Sequence, residues 1–244
     1  QGNAINKLPQ FSYSKLASLI GLIDTFHSDT NYIDASQYED TFFNTEQSDY
    51  IHYRGSSYDF SFTAAANYSN KIFIGATLLI PVLSYHSNRY FTEYNKVSSP
   101  YFYQSSSLYE QIHTMGYGVS ANFGIIFKPS DSYRTGLAIH LPTFYSLTDE
   151  YMDSMSASYV GLPYAYSVTT PTGISKYQLI TPFSFEIGNS VYFNKSGFIS
   201  LDYSLTDYRS VMLSLEDLSE SQIQNQNVQS IFNLVSVLKL GGET

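Results

Sequence analysis

The feature that most constrains this chain is a strict two-residue period. In Tyr58-Asp59-Phe60-Ser61-Phe62-Thr63-Ala64 apolar and polar residues alternate without a break. A helix would scatter such a pattern around its axis, whereas an extended strand sends alternate side chains to opposite faces. From Tyr117 to Phe127 the same order recurs, with Tyr117, Val119, Ala121, Phe123, Ile125 and Phe127 set against Gly118, Ser120, Asn122 and Gly124. Over 177–193 it places Tyr177, Leu179, Phe183, Phe185, Ile187 and Val191 opposite Gln178, Ser184, Glu186, Gly188 and Ser190. Over 198–206 Ile199, Leu201, Tyr203 and Leu205 oppose Ser200, Asp202, Ser204 and Thr206. Less regular runs at 72–85, 133–147 and 228–240 bring the expectation to about seven strands.

Alternation alone fits a soluble sandwich or a membrane barrel, and the connections separate the two. Asn67-Tyr-Ser-Asn70, Pro129-Ser-Asp-Ser132 and Asn194-Lys-Ser-Gly197 are short and rich in turn formers. The intervening stretches, roughly 86–112, 146–175 and 207–227, read as long loops. Short turns on one side and long loops on the other are the topology of outer-membrane barrels. Aromatics gather near both strand ends: Tyr68, Phe127, Tyr133, Tyr192 and Phe193 by the turns, and Tyr85, Tyr90, Phe91, Tyr109, Tyr145 and Tyr177 opposite. That suits two interfacial girdles. The chain holds 24 Tyr and 17 Phe but only 14% charged residues, against roughly 25% in soluble domains. The expected fold class is therefore all-β, a transmembrane antiparallel β-barrel in a bacterial outer membrane, with lipid bilayer and lipopolysaccharide as its surroundings. An odd strand number, together with the expectation that barrel edges are closed, points to an internal stretch of a longer barrel.

Residues 1–53 read as an extracellular loop region and 54–244 as barrel strands. Within the first, 11–26 has helical period, with Leu16, Leu19, Ile20 and Ile23 on one face, and 27–53 reads as loop. That stripe is a candidate hydrophobic capture groove, although apolar stripes more often mean packing, here against the barrel rim. Within the strands, alternation assigns Asp59, Asn122, His140, Glu186 and Asp202 to the lumen, since charge in lipid is costly. Bracing hydrogen bonds are the plain alternative role for these residues. A net charge of −9 argues against nucleic acid as a partner. The chain lacks cysteine, a Gly-x-Ser-x-Gly element and a His-x-x-x-His pair, so neither an enzyme, a metal nor a cofactor is expected.

The stretch YGVSANFGIIFKPSDSYRTGLAIHLPTFYSLTDEY at 117–151 resembles the FadL/TodX-type outer-membrane transporters in their Bacteroidetes form. The matching positions include Asn122, Gly124, Lys128, Pro129, Asp131, Arg134, Gly136, His140, Pro142 and Thr143. SNKIFIGATLLIPVLSY before it, and YQLITPFSFEIGNSVYF and KSGFISLDYSLTDYRSVML after it, are similar in the same order, so the resemblance covers about residues 50–244. It implies a fourteen-stranded barrel with an N-terminal plug, of which this chain would supply the middle. It also implies uptake of hydrophobic small molecules of the fatty-acid or aromatic-hydrocarbon class, by loop capture and passage through the barrel. FadL-like barrels that serve secretion or assembly complexes give the alternative, in which the partners are other outer-membrane proteins.

Overall fold

The computed structural model describes residues 12–25, 32–34, 45–96, 103–193 and 196–244. The fold is mostly antiparallel β-sheet. A short pair, β1 (Ile23–Thr25) and β2 (Tyr32–Asp34), stands apart from an eleven-stranded sheet. The sheet comprises β3 (Thr45–Tyr68), β4 (Ile72–Asn95), β5 (Tyr103–Ser130), β6 (Tyr133–His140), β7 (Phe144–Tyr159), β8 (Tyr166–Thr169), β9 (Gly173–Ile180), β10 (Phe183–Tyr192), β11 (Phe198–Asp207), β12 (Met212–Ser214) and β13 (Leu234–Glu243). Among the described residues β3 pairs only with β4, and β13 only with β11, so the sheet is open. No described helix is long and apolar enough to cross a membrane.

Residues divide into two compact units, the first of Gln1–Gly55, Tyr85–His113 and Asp149–Ile174, the second of Ser56–Ser84, Thr114–Thr148 and Ser175–Thr244. The core of unit 1 forms around helix α1 (Tyr13–Leu19), whose N-cap Ser12 accepts a hydrogen bond from Lys15 N. Leu16, Ala17 and Ile20 are buried with Tyr103, Met155, Ala157 and Tyr159. The Tyr159 hydroxyl donates to the Ile20 carbonyl at 2.6 Å and so closes the helix end. The helix is shorter than the expected 11–26. Gly21 takes φ of 79°, which ends the helical path, and Ile23 enters β1 instead. Residues 11 and 26 lie outside the described residues.

Unit 2 is a ladder running through β3, β4, β5, β6, β10, β11 and β13, with β12 paired to β9. All three short turns fall where the turn formers stand. At the first, Ser69 and Asn70 both have positive φ, 53° and 55°, the geometry of a type I′ hairpin turn. Asn67 offsets that strain by accepting from Asn70 N at 3.0 Å and donating to its side chain at 2.7 Å. At the second, the register shifts between Phe127 and Ser130, which accommodates Pro129 as a bulge. At the third, Phe193 N donates to the Gly197 carbonyl; residues 194 and 195 lie outside the described residues.

Three expectations need correction. The stretch 45–53 is strand rather than loop, and most of 86–112 and 146–175 is strand as well. These segments pair with neighbours through Ser, Tyr and charged side chains, so their strand character carries no apolar alternation. Ser105–Ser158 at 2.7 Å and Ser107–Ser156 at 2.8 Å are examples. The stretch 207–227 folds as a 3-10 turn, β12 and most of helix α2 (Leu218–Ile231), so the last strand begins at 234 rather than 228. Finally, 133–147 and 177–193 are each two strands. Both break at a proline, Pro142 and Pro182, which can donate no ladder hydrogen bond. The breaks are adjacent: Thr143 N donates to Thr181 Oγ1 at 2.8 Å, and Thr181 N to the Thr143 carbonyl at 3.1 Å.

Candidate functional site

In unit 2 the register decides which side chains meet. Directly opposed residues share a face. One row runs Asn122, His140, Ser184; the next runs Gly124, Ala138, Glu186, Ser204; a third runs Gly136, Gly188, Asp202, Lys239. This polar face borders a trough of about 710 Å³ whose lining joins Asn122, His140, Glu186, Asp202 and Lys239 to apolar residues such as Phe73, Ile74 and Ile126. Two of these rows set Gly and Ala beside the charged groups, which leaves space above the sheet. A Cβ on Gly188 would sit 2.6 Å from the Asp202 carboxylate, so glycine there leaves that group its space.

Four of the five residues assigned to the lumen thus gather on one face. Asp59 shares strand parity with Ala65 and Asn67, which line the trough, but does not line it itself. Lys239 was missed; its signal was a single cation among apolar neighbours in Val235–Leu240, placed opposite Asp202 by the register. The other face carries Ile125, Leu137, Ile187, Tyr203 and Leu238 in one opposed row. Ile187 is 40% exposed and Leu238 67%, so among the described residues nothing covers this apolar face. The turn-side aromatics divide between the faces rather than forming one outward belt. Tyr192 packs on Phe198 on the polar side, with Arg134 above its ring at 4.5 Å, whereas Tyr133 lies on the apolar side.

Unit 1 holds a second cavity, about 400 Å³, beside α1. Its apolar wall includes Ala17, Leu22, Ile23, Phe91, Leu108 and Met155. Of the four residues of the expected capture stripe, Ile23 alone lines it. Leu16 and Ile20 are 2% and 3% exposed and belong to the core, while Leu19 is 58% exposed on the far side of the helix. The true buried stripe is Leu16, Ala17 and Ile20, because the helix spans only Tyr13–Leu19 with Ile20 as its C-cap.

The polar lining of this pocket is acidic and hydroxylic. Glu93 accepts from Gln47 Nε2 at 2.8 Å and from the Tyr103 hydroxyl at 3.4 Å, and Ser106 Oγ lies 2.8 Å from the same hydroxyl. Burial, with Glu93 nearby, pushes the Tyr103 phenol up to about 12, so it stays protonated. Tyr13 donates a short hydrogen bond to Glu110, which with burial raises its phenol. Arg89 binds Asp49 through Nε and one terminal nitrogen, and Glu110 through the other at 2.9 Å. That guanidinium holds the Asp49 carboxyl below its usual range, while burial and the charge of Glu110 raise Asp153. Among the described residues no group of His, Cys, Asp and Glu is arranged to hold a metal.

Compared with known protein families and with curated proteins, the chain matches none.

Proposed function

We propose that this chain is part of the wall of an outer-membrane β-barrel that takes up hydrophobic small molecules. The observation that carries the reading is the sorting of unit 2 side chains. One face of the ladder is apolar and uncovered, and the other gathers Asn122, His140, Glu186, Asp202 and Lys239 around a trough. A bilayer is a solvent that covers the first face, and a water-filled or plugged lumen suits the second. The dimensions agree. β10, β11 and β13 are 10 residues each, the length that spans a hydrocarbon core when tilted, about 9–11. In this reading the strands of unit 2 cross the membrane, the pocket of unit 1 is the capture element, and the trough face is the passage.

The pocket suits capture because its wall is largely apolar with a few convergent polar groups, the usual make-up of small-molecule sites. The twin proline breaks give the unit 2 sheet a place where ladder hydrogen bonds are replaced by the two Thr143–Thr181 bonds. Uptake of a labelled aromatic hydrocarbon into cells expressing the full-length protein tests the function. Uptake above that of cells lacking it is expected, together with recovery of the protein in the outer-membrane fraction with heat-dependent gel mobility. A protein found in the soluble fraction, or uptake equal to the control, overturns the reading.

A further inference from the structure

The unit 1 pocket carries a charge that simple hydrophobic capture does not use. Its wall is largely apolar, and among the described residues the one carboxyl side chain lining it is Glu93. Gln47 and Tyr103 engage that carboxylate, but a carboxylate accepts about four hydrogen bonds, so capacity remains. Among the described residues no cation lines the pocket. Arg89 is paired with Asp49 and Glu110, and Lys96 with Glu46 at 3.0 Å. At the helix end of the pocket, lining residue Tyr13 donates to Glu110, whose charge is balanced by Arg89. Phe91 and Tyr103 lie in the same wall, and the Arg89 guanidinium sits 6.0 Å from the centroid of the Phe91 ring, which leaves Tyr103 as the aromatic group for a second cation.

We propose that this pocket selects apolar molecules bearing an ammonium head and discriminates against those bearing a carboxylate. The proposal rests on the pocket being the capture element. An alkyl or aryl body fills the space between Leu22, Ile23, Phe91, Leu108 and Met155, and the ammonium donates to Glu93 and the neighbouring hydroxyls. A carboxylate in the same pose meets Glu93 and finds no cation. Fatty-acid anions are then poor ligands, and hydrophobic amines good ones.

Equilibrium dialysis of hexylammonium, hexanol and hexanoate against the full-length protein in lipid nanodiscs at pH 7, with empty nanodiscs as reference, tests this. Hexylammonium is expected to bind at least about tenfold tighter than hexanoate, with hexanol between them. Glu93→Gln is expected to bring hexylammonium close to hexanol with hexanol still bound, which also shows the pocket intact. Ser106→Lys, adding a cation to the wall, is expected to favour hexanoate. Equal binding of hexanoate and hexylammonium, or an ammonium preference that survives Glu93→Gln, overturns the proposal. If hexanol binds without any charge preference, this proposal fails and the capture reading stands. If none of the three binds, both fail.

Discussion

Glu186 and Ile187 are neighbours in the chain and face opposite ways, and their contrasting environments make the sharpest residue-scale test of the sheet. Ile187 sits in the apolar row beside Leu137 and Tyr203, and Glu186 in the polar row beside Ala138 and Ser204. In the bilayer reading Ile187→Arg places a cation in lipid and costs about 2–4 kcal/mol near the midplane. Denaturant unfolding in lipid vesicles measures that cost, with Glu186→Gln as a partner variant whose stability changes little. Equal stability of wild type and Ile187→Arg argues against lipid on that face. In unit 1 the comparable residue is Tyr159. Its hydroxyl is the donor to the Ile20 carbonyl, inside a buried cluster. Tyr159→Phe leaves that carbonyl unpaired and is expected to destabilise the unit by about 1–3 kcal/mol, seen as a lower unfolding midpoint.

At the scale of elements, the broken strands and the histidine pair each carry a measurable consequence. The Thr143 amide is held by the Thr181 hydroxyl where Pro142 and Pro182 interrupt the ladder. Thr181→Val removes that acceptor, so amide exchange at Thr143 is expected to speed up while Leu137, inside regular β6, keeps its protection. No change at Thr143 contradicts the break as drawn. Between β4 and β5, the rings of His86 and His113 stack at 3.8 Å, with Glu150 3.9 Å from His113. Burial, then the neighbouring His113 and Arg54, lower the proton affinity of His86 below the ordinary 6.5. The unfolded chain therefore binds this proton more readily than the folded one. Stability is full above pH 6.5 and falls as pH drops below it, levelling only below the depressed folded value. Thermal unfolding from pH 8 to 5 should show this loss, and His86→Gln should flatten it. An unchanged slope in the variant assigns the loss to other groups.

Among the described residues the sheet has two unpaired edges, β3 and β13, and an uncovered apolar face. In water such edges and faces seek partners, usually other copies of the chain. The chain of residues 1–244 is expected to sediment as aggregates in detergent-free buffer and to become monodisperse in detergent. A monodisperse monomer in plain buffer removes the case for a bilayer. At this scale the charge balance also has a role, since −9 overall and an acid-lined pocket in unit 1 both disfavour anionic solutes.

The sequence by itself determined the all-β class, the positions of the three short turns and the assignment of side chains to faces. Each depends on near neighbours: a two-residue period, or a turn former such as Asn67 bonding to Asn70, is set by local geometry. It also placed Asn122, His140, Glu186 and Asp202 on one face, because strand parity persists across a ladder. Only the tertiary structure decided what that parity could not express. The strands of unit 1 pair through Ser–Ser, Tyr–Tyr and Arg–carboxylate contacts, whose pattern has no apolar signature. Helix α2 has no apolar stripe to reveal it, with Leu218 and Ile231 left 78% and 70% exposed. The end of α1 depends on Gly21 and on Tyr159, 139 residues away from Ile20. For that reason the stripe of Leu16, Leu19, Ile20 and Ile23 dissolves into two core residues, one exposed residue and one pocket residue. The pocket wall around Glu93 comes from segments far apart in the chain, 13–23, 91–108 and Met155, and only folding brings them together.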